Sequence, residues 1–121
     1  MITVINVRSQ KYRDLRPNEN VVYIGRETSI INGKSDGSPL ANTFSVKKYG
    51  RDECIRLYDK WLNTAIGIRN TEVCDELNRL YTIAKKGDLY LVCWCAPLPC
   101  HGDIIKRVIE SKMEVSSWYY M

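Results

Sequence analysis

The sequence predicts a small three-layer α/β sandwich around a mostly parallel sheet. Two observations support this prediction. The 121 residues are enough for one domain with a single hydrophobic core, so we predict one domain over residues 1–121. Strand patterns and helical patterns are also mixed along the chain, in the order strand, strand, long loop, helix, helix, strand, helix. Such mixtures fold as a sheet covered by helices.

Three short segments are rich in apolar and β-branched residues, which is typical of strands. Residues 2–8 form the first, and residues 21–25 form a shorter run that ends in glycine. Residues 88–95 are apolar at nearly every position, which predicts a central strand buried on both faces. The polar residues 9–20 are predicted to be a loop.

Three segments have apolar residues at helical spacing. The clearest covers residues 51–66, where apolar residues recur three and four positions apart. A second helix is predicted over residues 71–86, with Asn70 or Thr71 suited to its N-cap. The last is predicted over residues 102–112.

Two segments have no strong helical or strand pattern. Residues 26–50 contain three glycines and a proline, and a loop of this length in a compact domain is typically functional. We allow one short strand within it, near Phe44–Val46. Residues 113–121 end in an aromatic tail that either packs on its own domain or meets a second copy. From this tail we predict a homo-oligomer.

The net charge is +4, and its distribution is uneven. Between Arg8 and Arg51, nine Lys or Arg face four Asp or Glu, which is an excess of +5. A basic segment that is mostly loop suits an anionic partner such as a nucleotide or phosphate. The alternative is ordinary solvated loop charge. Because this excess lies in loops and not on one helix face, nucleic acid is a less favoured partner.

The five cysteines and the N-terminal strand pattern favour a reduced, intracellular protein. The cysteine count is odd, and the first residues resemble a strand more than a secretion signal. No apolar run approaches the roughly 18 residues of a membrane-spanning helix. We therefore predict a soluble, cytoplasmic protein without a membrane partner, and we predict no cofactor.

The loops that follow the three strands are predicted to converge, because ligands of parallel sheets bind beyond the carboxyl ends of the strands. Arg8 and Arg26 lie in two of these loops, and Gly25 would let backbone pass close to a ligand. Arg26 can pair with a phosphate or carboxylate, or it can tie down the long loop. Asn42 and Phe44 could bind and stack a base, or simply order the loop.

The densest chemistry lies between Cys93 and Asp103. Cys93 and Cys95 are expected to point to one face of the strand, and their simplest role is in the core. Cys100 and His101 stand at the start of a helix, where a phosphate or other anion is favoured. A zinc site is disfavoured by the ligand spacing, and we predict no metal. The remaining alternative is catalysis, with Cys100, His101 or Asp103 as nucleophile, acid or base.

Four segments of the chain carry distinctive motifs, namely Tyr23–Arg26, Ala41–Phe44, Arg51 with Tyr58, Trp61 and Leu62, and Cys93–Asp103. Together these motifs resemble a family of small bacterial and phage proteins known only as domain of unknown function 4326. The resemblance covers roughly residues 20–112. Ala41 and Thr43 stand where the family usually has Gly and Pro.

The resemblance implies a compact Rossmann-like α/β fold and a shared crevice, but no activity. Its matched polar positions are Arg26, Asn42, Arg51, His101 and Asp103. By analogy with short phage proteins, our first hypothesis is a protein that binds a nucleotide-like anion. Its ligand would be a host immune signal such as an ADP-ribose derivative or a cyclic nucleotide. The second hypothesis is a nucleotide- or nucleoside-processing enzyme, and the third is a nucleic-acid-binding accessory protein.

Overall fold

The structure is a computed structural model that describes residues 1–27 and 37–119, with side chains through Glu114. It has a three-stranded, entirely parallel sheet and five helices, so the predicted α/β class is confirmed. The elements are β1 (Ile2–Asn6), α1 (Gln10–Leu15), β2 (Val21–Tyr23), α2 (Val46–Tyr49), α3 (Arg51–Gly67), α4 (Thr71–Lys86), β3 (Leu89–Cys93) and α5 (His101–Tyr119).

The last strand of the chain lies in the middle of the sheet, in the order β1-β3-β2. Ile2 of β1 is aligned with Leu89, and Val21 of β2 is aligned with Tyr90. β3 has partners on both sides and is apolar on both faces, as its sequence predicts. Because all three strands are parallel, their carboxyl ends meet at one edge of the sheet.

The alternation of side chains along the strands divides the core into two layers. Leu89, Leu91 and Cys93 face a large cluster that includes buried residues of α3, α4 and α5. Val92 faces a smaller cluster, which Tyr12 of α1 completes on the other side of the sheet. Helices therefore cover both faces, which gives the three layers of the sandwich.

One helix lies where the sequence predicted only a loop. Ser9 caps α1, because its side chain accepts a hydrogen bond from the Tyr12 N–H at 3.2 Å. With six residues, α1 has only Tyr12 and Leu15 on its apolar side. That is too short a pattern to separate a helix from a polar loop.

Two further elements differ from the sequence-based prediction. The strand near Phe44–Val46 is wrong: Ser45 caps the short helix α2, which begins at Val46. The aromatic and β-branched residues there suggested a strand, but local side-chain capping decided the conformation. The last helix also continues to Tyr119, well beyond residue 112, and Met113 packs against the larger core cluster.

Parts of two predicted segments lie outside the described residues. They are residues 28–36 of the long loop, and the side chains of the aromatic tail from residue 115 onwards. Within the described part of the chain, no helix has both the length and the apolar character needed to cross a membrane.

Candidate functional site

A cavity of about 320 Å³ opens beside the carboxyl ends of β2 and β3, and we call it the strand-end cavity. Its walls come from these strand ends, the segment around α2, the start of α3 and the start of α5. The lining residues are Gly25, Arg26, Asn42, Phe44, Ser45, Val46, Lys47, Arg51, Cys54, Ile55, Cys93, Trp94, Cys95, Pro99, Cys100 and His101.

The end of β2 delivers Arg26 to this cavity. The Tyr23 ring folds back over Gly25, where a Cβ atom would come within 2.3 Å of the Tyr23 hydroxyl. That hydroxyl donates to the Arg26 carbonyl at 2.7 Å and accepts from the Trp94 indole at 2.9 Å. A side chain at position 25 would therefore displace the Tyr23 ring and disturb these two hydrogen bonds, which brace the backbone from which Arg26 extends.

His101 has a positioning role at the cavity wall. Its Nε2 lies 2.8 Å from the Ile24 carbonyl, so Nε2 carries the proton and donates it. Burial lowers the pKa of His101, although this hydrogen bond opposes the effect, and the nearby Arg26 lowers it further. The ring therefore stays neutral near pH 7 and links the start of α5 to the end of β2.

The start of α5 is capped from within. The Cys100 sulfur accepts the Gly102 N–H at 3.3 Å. The Asp103 carboxylate in turn accepts the Cys100 N–H at 3.1 Å. This reciprocal arrangement is a capping box, and it places a carboxylate where an anionic ligand would otherwise bind. At this helix start, where the sequence suggested an anion site, the Asp103 carboxylate thus accepts one of the free backbone N–H groups.

Cys93 and Cys100 are in direct contact beneath the cavity. The Cys100 thiol donates to the Cys93 sulfur at a distance of 3.4 Å. This hydrogen bond lowers the pKa of Cys93 to about 6 against the opposing effect of burial, and the Ala96 N–H contributes in the same direction. The same hydrogen bond raises the pKa of Cys100, so the pair loses its first proton at Cys93.

Asn42 orders the loop that forms one wall. Its side-chain oxygen accepts the Phe44 N–H at 2.9 Å, and its amide nitrogen lies 3.1 Å from the Cys54 sulfur. Cys54 in turn donates to the Phe44 carbonyl at 2.9 Å. Of the two sequence-based interpretations, loop ordering therefore describes Asn42. Phe44 remains half-buried in the lining, with its ring in edge contact with Tyr49.

The charged groups of the lining all have the same sign. Arg26, Lys47 and Arg51 are present, whereas no Asp or Glu among the described residues lines the cavity. Arg51 is anchored at the mouth, where its Nη1 donates to the Pro99 carbonyl at 3.0 Å. Neither the Arg26 side chain nor the Lys47 side chain forms a hydrogen bond or ion pair with another described residue.

The structure brings together most of the residues that the sequence predicted to bind a ligand. One of them is placed elsewhere: Arg8 lies over the ring of Trp94, 5.2 Å from its centroid. Asp103, a catalytic candidate, lines a second groove. The six predicted residues in the cavity are Gly25, Arg26, Asn42, Phe44, Arg51 and His101.

Sequence reasoning missed Lys47 and Cys54. Lys47 was counted only as part of the basic segment, and Cys54 was assigned to the buried stripe of its helix. The short helix α2 places Lys47 at the cavity, and no strong sequence pattern predicted that helix.

The three candidate catalytic residues do not interact as a catalytic set. Cys100 contacts Cys93, His101 binds the Ile24 carbonyl, and Asp103 binds the Cys100 backbone. Among residues 1–27 and 37–119, no three His, Cys, Asp or Glu side chains are grouped so that they could hold a metal ion.

Comparison with known families identifies what this chain is related to. The family model described as "Domain of unknown function (DUF4326)" matches residues 7–111, so the chain belongs to that family. The search of curated proteins and the search of solved structures gave no match. The family assignment agrees with the sequence motifs and leaves the activity to be inferred from the site.

Proposed function

We propose that this chain, as a member of that family, binds a small nucleotide-like anion in the strand-end cavity. The observation that carries this proposal is the charge of the lining, with three cations and no carboxylate among the described residues. Such a concave cationic surface concentrates an anion and strengthens its electrostatic attraction. The position beyond the ends of parallel strands is also where α/β proteins hold their ligands.

Arg26 is the main anchor of the proposed ligand. Its guanidinium has no partner among the described residues, and its backbone is braced by the Tyr23 hydroxyl. A planar guanidinium donates two parallel hydrogen bonds to a phosphate, which adds geometric specificity to the charge. Arg51 supplies a second donor set, already oriented by its hydrogen bond to the Pro99 carbonyl.

The lining also offers apolar surface beside these cations. Phe44 is half-buried in the wall and provides a ring against which a base can stack. The volume of about 320 Å³ lies at the lower end of the range for small-molecule pockets, which begins near 300 Å³. A charged group beside a flat apolar group is the chemistry of a nucleotide.

At the finer level, we propose that binding sequesters a host nucleotide immune signal, such as an ADP-ribose derivative or a cyclic nucleotide. This step follows from the analogy with short phage proteins, together with the cationic cavity. Phage or bacterial origin and a cytoplasmic location belong to the same proposal.

An enzyme that processes a nucleotide or nucleoside is the second candidate. One observation favours it: Cys93 lines the cavity, and its lowered pKa makes it the most readily ionised thiol of the Cys93–Cys100 pair. The candidate nucleophile would then be Cys93 and not Cys100, whose pKa is raised.

Ligand capture separates these classes. The purified chain is incubated with ADP-ribose or a cyclic dinucleotide, washed, and heated, and the released molecule is weighed by mass spectrometry. Intact ligand supports binding, whereas altered ligand supports the enzyme. Absence of capture removes both and favours the nucleic-acid-binding alternative.

A matched pair of variants shows whether capture uses the cavity. Arg26→Ala should lose most of the captured ligand. Arg79→Ala should retain it, because Arg79 lies on α4 and pairs with Glu76 at 2.6 Å. Equal capture by both variants would place binding elsewhere.

Self-association stays a prediction. It rests on the aromatic residues Trp118, Tyr119 and Tyr120 of the sequence, whose side chains lie outside the described part of the chain. Light scattering at micromolar concentration tests it, and a monomer mass would contradict it.

A further inference from the structure

We propose that Cys93 and Cys100 form a reversible dithiol–disulfide couple in the wall of the strand-end cavity, with a small peroxide as the oxidant. Their sulfurs are 3.4 Å apart, although the residues are seven positions apart in the chain. A disulfide bond is about 2.05 Å long, so the sulfurs must approach by about 1.4 Å. The couple does not depend on the identity of the proposed ligand.

Each of the two sulfurs accepts a hydrogen bond from a backbone N–H group, which favours this chemistry. Cys93 accepts the Ala96 N–H at 3.3 Å, and Cys100 accepts the Gly102 N–H at the same distance. Donors of this kind stabilise a thiolate. The Asp103 carboxylate at the start of α5 has the opposite effect and raises the pKa of both thiols. The lowered pKa of Cys93 agrees with this geometry and makes Cys93 the attacking sulfur.

The oxidation proceeds in two balanced steps. The Cys93 thiolate attacks one oxygen of hydrogen peroxide, the O–O bond breaks, and Cys93 sulfenic acid and hydroxide form. The Cys100 sulfur then attacks the Cys93 sulfur, the S–O bond breaks, and the departing hydroxide takes the Cys100 proton and leaves as water. In total, two thiols and one peroxide give one disulfide and two waters.

Two of the other three cysteines are less suited to this pairing. Cys54 is engaged by the Phe44 carbonyl and the Asn42 amide. Cys74 lies on α4 and does not line the cavity. Cys93 and Cys100 are only 2% and 4% exposed, so the cavity that both line is the route for an oxidant, and a small peroxide suits it.

The test uses the reduced full-length chain and hydrogen peroxide. After the peroxide is removed, the chain is denatured, its remaining thiols are alkylated, and the intact mass is measured. Because the chain has five cysteines, formation of one disulfide leaves 5 − 2 = 3 alkylated thiols. A reductant added before alkylation should restore all five.

Cleavage at tryptophan places Cys74 and Cys93 in residues 62–94 and Cys95 and Cys100 in residues 95–118. The alkylated cysteine of each fragment then identifies the partners without any substitution. We expect these two fragments to be joined by a disulfide, with Cys74 and Cys95 alkylated. A bond to Cys95, or five alkylated thiols after peroxide, would overturn the proposal.

Variants provide an independent check. Cys100→Ser should form no disulfide and should instead gain oxygen atoms at Cys93, because the resolving sulfur is missing. Cys74→Ser, the matched control, should still lose two thiols on oxidation. An intramolecular disulfide in Cys100→Ser would also overturn the proposal.

Discussion

The ends of β1 and β2 are each followed by an arginine, but the two arginines lie in different environments. Both strands run parallel to β3, one on each side, and both are followed within three residues by an arginine. After β1, Arg8 lies over the outer face of Trp94, at 5.2 Å. After β2, Arg26 lines the strand-end cavity, and its guanidinium has no partner among the described residues. The position after a strand therefore does not by itself define a ligand contact.

The difference arises from the hydrogen bonds that the protein itself forms at each strand end. The Asn6 amide donates to the Trp94 carbonyl at 3.0 Å and to the Ala96 carbonyl at 2.9 Å, and its oxygen accepts the Arg8 N–H at 2.8 Å. The β1 end is thus closed by internal hydrogen bonds. At the β2 end, no described residue pairs with the Arg26 guanidinium, and a charged donor of this kind is what an anion recognises.

Among the substitutions that test this comparison, Asn6→Ala should have the largest effect, and the effect is on the free energy of unfolding. Loss of the amide leaves the Trp94 and Ala96 carbonyls without their side-chain donor. We expect the free energy of unfolding to fall by about 2–3 kcal/mol. Urea denaturation measures this change.

Asn20→Ala is the matched control for that experiment. The Asn20 amide makes one exposed hydrogen bond, to the Asp88 carbonyl at 2.9 Å. We expect a loss below about 1 kcal/mol. Equal losses in the two variants would mean that the β1 end is not specially braced.

The next effect concerns ligand affinity. Arg26→Ala should weaken binding of ADP-ribose or a cyclic dinucleotide by about 1.5–3 kcal/mol, the value of a charge-assisted hydrogen bond. Arg8→Ala should change it by less than about 0.5 kcal/mol, since Arg8 lies outside the cavity and solvent screens its charge. Calorimetric titration of both variants decides this, and similar losses would indicate a diffuse basic field.

A smaller effect should appear with pH. Cys93 has a pKa lowered to about 6, so rising pH places a negative charge in the cavity wall. Affinity for an anion should therefore be higher below pH 6 and fall about threefold to tenfold above it, by Coulomb repulsion at short range. A cyclic dinucleotide suits the titration, because its phosphodiesters do not titrate there as a phosphate monoester does.

Cys93→Ser is the control for the pH titration, because it removes the thiol that ionises. The fall in affinity around pH 6 should disappear in this variant. Persistence of the same pH dependence would show that another group causes it.

The smallest expected effect is that of Lys47→Ala. Lys47 lines the cavity, but its side chain is exposed, so solvent screens most of its interaction with an anion. We expect a loss of about 0.5 kcal/mol, slightly above that for Lys60→Ala on the exposed face of α3. A loss equal to that of Arg26→Ala would show that charge alone, without guanidinium geometry, dominates binding.

Much of the architecture was determined by local sequence patterns. Strand β3 and helices α3 and α4 have periodicities long enough to be recognised, and their predicted bounds are within two residues of those observed. The period of two along β3 also placed Cys93 and Trp94 on opposite faces, as the two core clusters confirm. These features depend on neighbours in the chain, which is why the sequence alone suffices for them.

Only the tertiary structure decided how the strand ends differ. The Asn6 hydrogen bonds to the β3 exit cross 88 and 90 residues, and the bond from His101 to the Ile24 carbonyl crosses 77. No local pattern contains such partners, because chain folding brings them together. The same holds for burial, which keeps His101 neutral, and for the contact between the Cys93 and Cys100 sulfurs. Residue type and spacing thus named the candidates, and three-dimensional packing assigned Arg26 to the cavity and Arg8 to the protein's own Trp94.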